Sequence, residues 1–228
     1  MISRGWSWYV DYVYVTFWQI RHFFSRGVPS EFAEGTLPPI VLLPGVYETW
    51  QFLRPIATSL SKRGHPVHVV RELGYNRATI PASAVVVQKY LDDHDLRDVI
   101  LVAHSKGGLI GKHMMLFDDT DRRVRQLVTV ATPFGGSVYA RFFLNRSVRD
   151  FSPTDPTLMM LAANIMANAR ITSIYGDFDP HIPGGSHLDG ATNVKLPVSG
   201  HFKILGASVV EHAVVEAIGM DAASHDVR

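Results

Sequence analysis

The sequence predicts an α/β fold in which a doubly wound, mostly parallel sheet of about six strands lies between helices, with an extra aromatic helix at the N-terminus. Two observations support this prediction. Short runs of Val, Ile and Leu alternate along the chain with segments of helical length, a pattern typical of parallel β-α-β units. Within these runs apolar and polar residues hardly alternate, as expected for strands that are buried on both faces.

The first 27 residues form a separate aromatic segment. Nine of the 24 aromatic residues and three of the four Trp lie within the first 24 positions. The stretch from Gly5 to Ile20 carries Asp11 as its single charge, but as a helix it would be about 24 Å long, shorter than a bilayer core of about 30 Å. Since no small-residue cleavage site follows, we expect no cleaved signal peptide and a cytoplasmic protein, with membrane association as an option.

A helical stripe in this segment offers a contact surface for a membrane or for protein. Its members recur at spacings of three and four residues: Trp6, Val10, Val13, Phe17, Ile20 and Phe24. Such a stripe either lies among lipid head groups or docks on the rest of the chain or on another subunit. Docking is favoured because Asp11 would be costly in lipid.

The remaining chain, residues 28–228, is predicted to be a single domain in which strands and helices alternate. After a Pro- and Gly-containing linker, strands are expected at Ile40–Leu43, Val67–Val70, Val99–Val102, Leu127–Val130, Ile171–Tyr175 and Val194–Leu196, and helices at Thr49–Arg63, Pro81–Asp93, Lys106–Phe117, Asp155–Ala169 and His201–Ile218.

The 22 basic and 21 acidic side chains nearly cancel, which argues against a general nucleic-acid binder. There is no Cys, which excludes disulfides, thiolate nucleophiles and Cys-ligated zinc.

A nucleophile motif follows the third predicted strand. The strand runs into Ala103-His104-Ser105-Lys106-Gly107, and a helix follows at once. This is the G-x-S-x-G pattern with Ala at its first position, in the strand–turn–helix context that exposes a serine Oγ on a sharp turn. The backbone amide of Lys106 would point toward a developing oxyanion, whereas its side chain is expected to be solvated.

Candidate partners for Ser105 follow the last two strands. In this arrangement an acid and then a histidine come after the serine in the chain. Asp177 and Asp179 both follow the fifth strand, and His201 follows the sixth; His181 and His187 are weaker candidates for the base because neither follows the last strand. A second oxyanion donor is expected after the first strand, where Gly45 allows a close approach and Val46 supplies the amide.

Over residues 38–218, this set of motifs resembles the α/β-hydrolase family, particularly small bacterial lipases and esterases without a large cap. The motifs are Leu42-Leu43-Pro44-Gly45, Ala103-His104-Ser105-Lys106-Gly107-Gly108, Ala131-Thr132-Pro133-Phe134-Gly135-Gly136, Ser173-Ile174-Tyr175-Gly176-Asp177-Phe178-Asp179 and Gly200-His201. The resemblance implies Ser105 as nucleophile, His201 as base and, from the Ile-Tyr-x-x-x-Asp pattern, Asp179 rather than Asp177 as acid. Many relatives have His where this chain has Pro44.

The resemblance implies a serine ester hydrolase that needs no metal or other cofactor, and no cluster of metal ligands is evident among the 11 His. The stretch between Thr132 and Ile171 has room for a short flap at Ser137–Phe151 rather than a cap domain. An apolar acyl groove is expected from Tyr47, Trp50, Phe134, Val138, Phe142, Phe143 and Leu144. Two alternatives stay open: an acyltransferase or lipid-anchor deacylase with the same triad, similar to GPI inositol deacylases, and a non-catalytic binding protein with this fold.

Overall fold

A six-stranded parallel sheet forms the centre of the computed structural model, which describes residues 4–24, 27–140 and 149–225. Its strands are β1 (Ile40–Leu43), β2 (Val67–Val69), β3 (Val99–His104), β4 (Val124–Val130), β5 (Ile171–Phe178) and β6 (Thr192–Ser199). They are arranged in the order β2-β1-β3-β4-β5-β6, and all neighbouring strands pair in parallel. The predicted sheet is therefore confirmed.

Helices cover both faces of the sheet, as the doubly wound prediction requires. They are α1 (Arg4–Phe24), α2 (Arg54–Lys62), α3 (Ile80–Asp93), α4 (Lys106–His113), α5 (Pro156–Ala163) and α6 (Ser208–His225). One buried cluster joins the sheet to α1, α2 and α6 through Trp18, Ile56 and Val214. A second cluster joins the opposite face to α3, α4 and α5 through Leu91, Ile110 and Leu158.

Local sequence explains where several helices begin and end. Thr79 caps α3 by accepting a hydrogen bond from the Ala82 amide, and Asp155 caps α5 in the same way. Four predicted helices are shorter at one end than expected. Helix α2 begins at Arg54, after a 3₁₀ turn at Trp50–Leu53, and α4 ends at His113, where a π-helical turn follows. The helix predicted at Asp155–Ala169 ends at Ala163. Helix α6 begins at Ser208 rather than His201, because residues 201–207 form a loop and a 3₁₀ turn.

The strand order reverses beside β1, which lies between β2 and β3. Open α/β sheets form their sites in the crevice beyond the carboxyl ends of the strands at such a switch point. Because all six strands are parallel, the loops that follow β1, β3, β5 and β6 emerge at the same edge. The topology therefore brings together segments far apart in the chain, such as those that contain Val46 and His201, which are 155 positions apart.

The N-terminal helix is present, but the predicted stripe does not dock on the rest of the chain. Val13, Phe17, Ile20 and Phe24 are each at least half exposed. The helix packs on the domain through a face that contains Asp11, Tyr14, Val15 and Trp18, of which Asp11 is fully buried. The spacing of apolar residues does not indicate this face, because it contains Asp11, whose buried carboxylate accepts hydrogen bonds from backbone amides. Within the described residues, no helix is both long and apolar enough to cross a membrane.

Candidate active site

Ser105 lies on a strained turn between β3 and α4. Its backbone angles, φ of 49° and ψ of −118°, fall in a region that residues other than glycine rarely adopt. The turn is tight enough that a Cβ at Gly107 would overlap the carbonyl oxygen of Leu43. This steric limit explains the glycine of the motif, and the strain directs the serine Oγ away from the sheet.

The Ser105 hydroxyl meets the imidazole of His201, which follows β6. His201 Nε2 lies 3.0 Å from Ser105 Oγ, and its Nδ1 lies 2.7 Å from Asp179 Oδ2. A carboxylate accepts, so Nδ1–H donates to Asp179 and Nε2 is left to accept the serine hydroxyl proton. Serine, histidine and aspartate thus form one hydrogen-bonded chain among three loops at the carboxyl edge of the sheet.

Asp179 and Asp177 differ sharply in their surroundings. Asp179 Oδ1 accepts hydrogen bonds from the amides of His181 and Ile182 at 2.8 and 3.1 Å, which leaves Oδ2 for His201. Asp177 instead pairs with Lys195 at 3.1 Å, and its side chain is more than half exposed. The geometry therefore favours Asp179 as the acid.

The charges in this cluster shift the pKa values of both partners. Burial disfavours the charged form of each, but their attraction and their hydrogen bond outweigh it, so the pKa of Asp179 falls below and the pKa of His201 rises above its ordinary value. Glu48 and Asp11 add to the rise in the pKa of His201. Asp179 is consequently an anion that holds the imidazole in the tautomer described above.

The two predicted oxyanion donors are the backbone amides of Val46 and Lys106. Among the described residues, neither the Val46 nor the Lys106 backbone N–H has a hydrogen-bond acceptor. Lys106 is the first residue of α4, so the helix dipole adds positive potential at its amide. Free, preorganised amides at this edge are what stabilisation of a tetrahedral oxyanion requires.

The prediction of a solvated Lys106 side chain is wrong. The side chain is fully buried, and its Nζ donates hydrogen bonds to the carbonyl oxygens of Asn76 and Ala78. Burial lowers the pKa of this amine to about 8. Its role in the structure is to hold the 76–78 loop against the nucleophile turn.

A buried network behind the site was not found from the sequence. His104 Nδ1 lies 2.7 and 2.9 Å from the two carboxylate oxygens of Glu48, and His104 Nε2 donates to the carbonyl oxygen of His201 at 2.9 Å. Glu48 also accepts the Gly45 amide at 2.8 Å. The Glu48–His104 pair therefore connects three segments: the loop after β1, strand β3 and the loop that carries His201. The sequence signal for this network was His104, the polar residue at the end of the otherwise apolar strand β3.

A largely apolar cavity of about 780 Å³ opens onto Ser105 and His201. Of the predicted groove residues, Tyr47 lies in its wall. Trp50 packs in the core against Phe32, Phe134 is buried in the core beside α3 and α4, and Val138 is exposed outside the wall. Side chains turned inward into the core cannot line a groove at the sheet edge. Phe142, Phe143 and Leu144, with most of the predicted flap, lie outside the described residues.

Helix α1 supplies cavity residues that the sequence analysis did not assign. These are Trp8, Tyr12, Val15 and Gln19, which line the cavity together with Phe52 and Phe202. They recur at three- and four-residue spacing, but the more apolar stripe on the other side of the helix obscured them. The N-terminal segment is thus part of the wall of the candidate site.

His181, a weaker candidate for the base, lies beside His201 rather than replacing it. The two ring centroids are 5.0 Å apart, and burial together with the neighbouring histidine lowers the pKa of His181 to about 4. Contrary to the sequence expectation, Asp179, His181 and His201 place possible ligand atoms within 4.8 Å of one another. Two of these residues are already engaged with each other, since His201 Nδ1–H donates to Asp179 Oδ2.

Comparison with known proteins agrees with this architecture. A family model described as a PGAP1-like alpha/beta domain matches residues 80–151, which include β3, the Ser105 turn and α4. The match is confined to about a third of the chain, so it supports the fold around the nucleophile turn.

Solved structures match over most of the chain. A Bacillus licheniformis lipase in its mature form is 16% identical, with a TM-score of 0.59 over 82% of this chain and 91% of the lipase. An enol-lactonase from Burkholderia xenovorans is 18% identical, with a TM-score of 0.57 over 81% and 92% of the two chains. An epoxide hydrolase from Vigna radiata is 14% identical, with a TM-score of 0.55 over 82% and 92%. These reactions differ, but the architecture is shared: the chain has the α/β-hydrolase fold.

Proposed function

We propose that this protein is a serine ester hydrolase of the lipase or carboxylesterase type that works through an acyl-enzyme on Ser105. The observation that carries the proposal is the hydrogen-bonded chain from Ser105 Oγ through the His201 imidazole to Asp179, at 3.0 and 2.7 Å. A fold alone supports many reactions. A nucleophile, base and orienting acid in hydrogen-bond contact beside two free amides favours acyl transfer.

In the acylation step His201 Nε2 takes the proton of Ser105 as Oγ attacks the ester carbonyl carbon. The carbonyl oxygen becomes an oxyanion that the amides of Val46 and Lys106 stabilise, each donor contributing about 3–4 kcal/mol. His201 then gives the proton to the departing alkoxide, and the alcohol leaves. Asp179 stabilises the imidazolium that exists between these two transfers.

In the deacylation step a water molecule replaces the alcohol. His201 removes its proton, the hydroxide oxygen attacks the Ser105 ester, and the same two amides hold the second oxyanion. The proton then returns to Ser105 Oγ as the carboxylic acid leaves. The residues accomplish both steps by general acid–base and electrostatic catalysis, without a cofactor.

The walls of the cavity favour an apolar acyl chain. Apolar side chains of Tyr12, Val15, Phe52, Ala140, Phe151 and Ile182 line the cavity together with Ser105. Burial of methylene groups against such walls stabilises binding by about 0.8 kcal/mol for each group. We therefore expect esters of medium-length fatty acids to be better substrates than acetates.

Active-site labelling tests the proposal directly. A fluorophosphonate probe reacts with an activated serine, so we expect labelling of the wild type and none of the Ser105→Ala variant; Ser208→Ala, at the start of α6, is a matched control that should label normally. A wild type that is not labelled would favour the non-catalytic alternative. Labelling that persists in Ser105→Ala would reject this nucleophile.

A chain-length series of p-nitrophenyl esters then defines the activity. We expect turnover to rise from acetate toward medium chains and to be insensitive to EDTA, which separates the triad from a metal bound at Asp179, His181 and His201. Transfer to an added alcohol that outruns hydrolysis would indicate an acyltransferase. Release of an acyl group from a lipid anchor without hydrolysis of simple esters would indicate a deacylase.

A further inference from the structure

Asp11 on α1 is a buried carboxylate whose hydrogen-bond partners among the described residues belong to the loop that carries His201. Its Oδ2 accepts a hydrogen bond from the His201 amide at 2.7 Å, and its Oδ1 accepts from the amides of Phe202 and Lys203 at 3.2 and 3.0 Å. The side chain is fully buried. Some 190 positions separate the two segments in the chain, so the contact depends on the folded domain.

The arrangement requires a specific backbone on the His201 side. Gly200 has a φ of +114°, and a Cβ at this position would lie 2.6 Å from Asp11 Oδ1. Glycine therefore allows both the turn and the close approach of the carboxylate. Three amides in one loop converge on one charged group, which compensates its desolvation and fixes the loop in a single geometry.

His201 is held on its other side as well. Its carbonyl oxygen accepts a hydrogen bond from His104 Nε2 at 2.9 Å, so both backbone polar groups of the residue are anchored by charged or polar side chains. The same helix that carries Asp11 also reaches the oxyanion loop, where Gln19 Nε2 donates to the carbonyl oxygen of Tyr47 at 2.9 Å. Helix α1 thus contacts the two loops that flank Ser105.

We propose that Asp11 is a positioning residue for His201. Through Asp11, helix α1 fixes the position of the His201 imidazole relative to Ser105. This inference rests on the proposed function, because it gives the positioned imidazole its role in acyl transfer. Asp11 contacts the backbone of the His201 loop and acts through it, without touching the reacting atoms. Displacement of a catalytic group by about 1 Å costs on the order of 100-fold in rate.

The carboxylate also acts on the charge of the imidazole. The titratable groups that face His201 are Asp179 from the loop after β5, His181 from the same loop, Glu48 and His104 from behind, and Asp11 from α1. Of these groups, the three carboxylates raise the pKa of His201. Asp179 contacts the His201 ring and Glu48 contacts His104, whereas Asp11 contacts the backbone amide of His201. Removal of its charge should lower that pKa.

The experiment compares Asp11→Asn with the wild type. Asparagine keeps the size but removes the charge and replaces one of the two accepting oxygens by an NH2 group, which then faces a backbone donor. We expect kcat for a p-nitrophenyl ester to fall by about 10- to 100-fold with KM changed less than about threefold, and the acid limb of kcat/KM to move to lower pH. Nuclear magnetic resonance titration of the His201 ring, assigned with His201→Gln, should show the same downward shift.

Asp177→Asn serves as the matched control because it removes an exposed carboxylate from the neighbouring loop, and it should leave kcat and the acid limb unchanged. Unchanged kcat and an unmoved His201 titration in folded Asp11→Asn would overturn the proposal. Asp11→Ser, which leaves room for a bridging water, provides a second variant. If both variants lose the fold by circular dichroism, Asp11 is a general structural residue and the proposal also fails.

Failure of the proposed function gives a different result. A wild type that hydrolyses no ester and binds no fluorophosphonate would reject ester hydrolysis, whereas the His201 titration would still report whether Asp11 controls the imidazole. A labelled, active wild type with a fully active Asp11→Asn variant would reject the role of Asp11 alone.

Discussion

Three carboxylates act on His201, and each does so through different atoms. Asp179 bonds the ring, Asp11 bonds the backbone amide, and Glu48 acts through His104 on the backbone carbonyl. The sequence motif could identify the first because the family pattern places an acid after β5. The other two occupy positions for which no local pattern exists, since their partners are distant in the chain.

The identity of the acid can be tested by a pair of isosteric changes. Asp179→Asn removes the charge that stabilises the imidazolium and disturbs the tautomer, so we expect turnover to fall by roughly 10³- to 10⁴-fold. Asp177→Asn breaks only an exposed pair with Lys195, whose contribution is about 1 kcal/mol or less, and should stay near wild-type turnover. Ester hydrolysis by the two purified variants decides the matter, and the opposite ranking would make Asp177 the acid.

The raised pKa of His201 predicts the pH dependence of hydrolysis. Protonated His201 cannot accept the serine proton, so kcat/KM should increase with pH as the imidazole loses its proton. Since the pKa of His201 is raised, the midpoint should lie above about 6.5, the ordinary value for histidine. The profile of kcat/KM for a non-ionising ester measures this midpoint, and a value below 6 would contradict the electrostatics described here.

The Lys106 side chain and its amide should have separable effects. Lys106→Met keeps the backbone donor but removes the amine that bonds the carbonyl oxygens of Asn76 and Ala78. We expect a loss of about 1–3 kcal/mol in the free energy of unfolding, while kcat falls less than tenfold. Urea denaturation and ester kinetics measure the two effects; a loss of kcat near 1000-fold would mean that the amine takes part in the chemistry.

At the scale of helices and strands, continuous apolar runs were sufficient to locate the sheet. Parallel strands are buried on both faces, and each of the six predicted runs overlaps an observed strand. The orientation of α1 was not predictable in the same way. The face that packs on the domain contains the buried carboxylate of Asp11, so hydrophobic periodicity alone does not identify it.

The two faces of α1 should therefore respond differently to substitution. Phe17→Ser changes an exposed side chain and should shift the free energy of unfolding by about 0.5 kcal/mol or less. Trp18→Ala removes a side chain that is 7% exposed and packed in the core, and should cost about 3–5 kcal/mol. Chemical denaturation of both variants tests the orientation, and comparable losses at the two positions would contradict it.

At the scale of the whole molecule, the candidate site depends on loops from both halves of the chain and on the N-terminal helix. Glu48, His104 and His201 belong to three different segments, and one buried hydrogen-bonded path joins them. Neither the Glu48 nor the His104 side chain has significant exposure. A buried pair of this kind fixes the relative placement of segments more than it adds to stability, because desolvation offsets most of the attraction.

A double-mutant cycle on this pair tests whether the segments are coupled. Glu48→Leu or His104→Leu alone leaves a polar partner buried without its counterpart, so each should cost about 3–5 kcal/mol in the free energy of unfolding. The double variant removes both groups together and should cost less than the sum of the single losses by about 1–3 kcal/mol. Because His104 also bonds the carbonyl oxygen of His201, turnover should fall in every variant that lacks it. Additive losses measured in urea would mean that the Glu48–His104 pair does not connect the loop after β1 to the loop that carries His201.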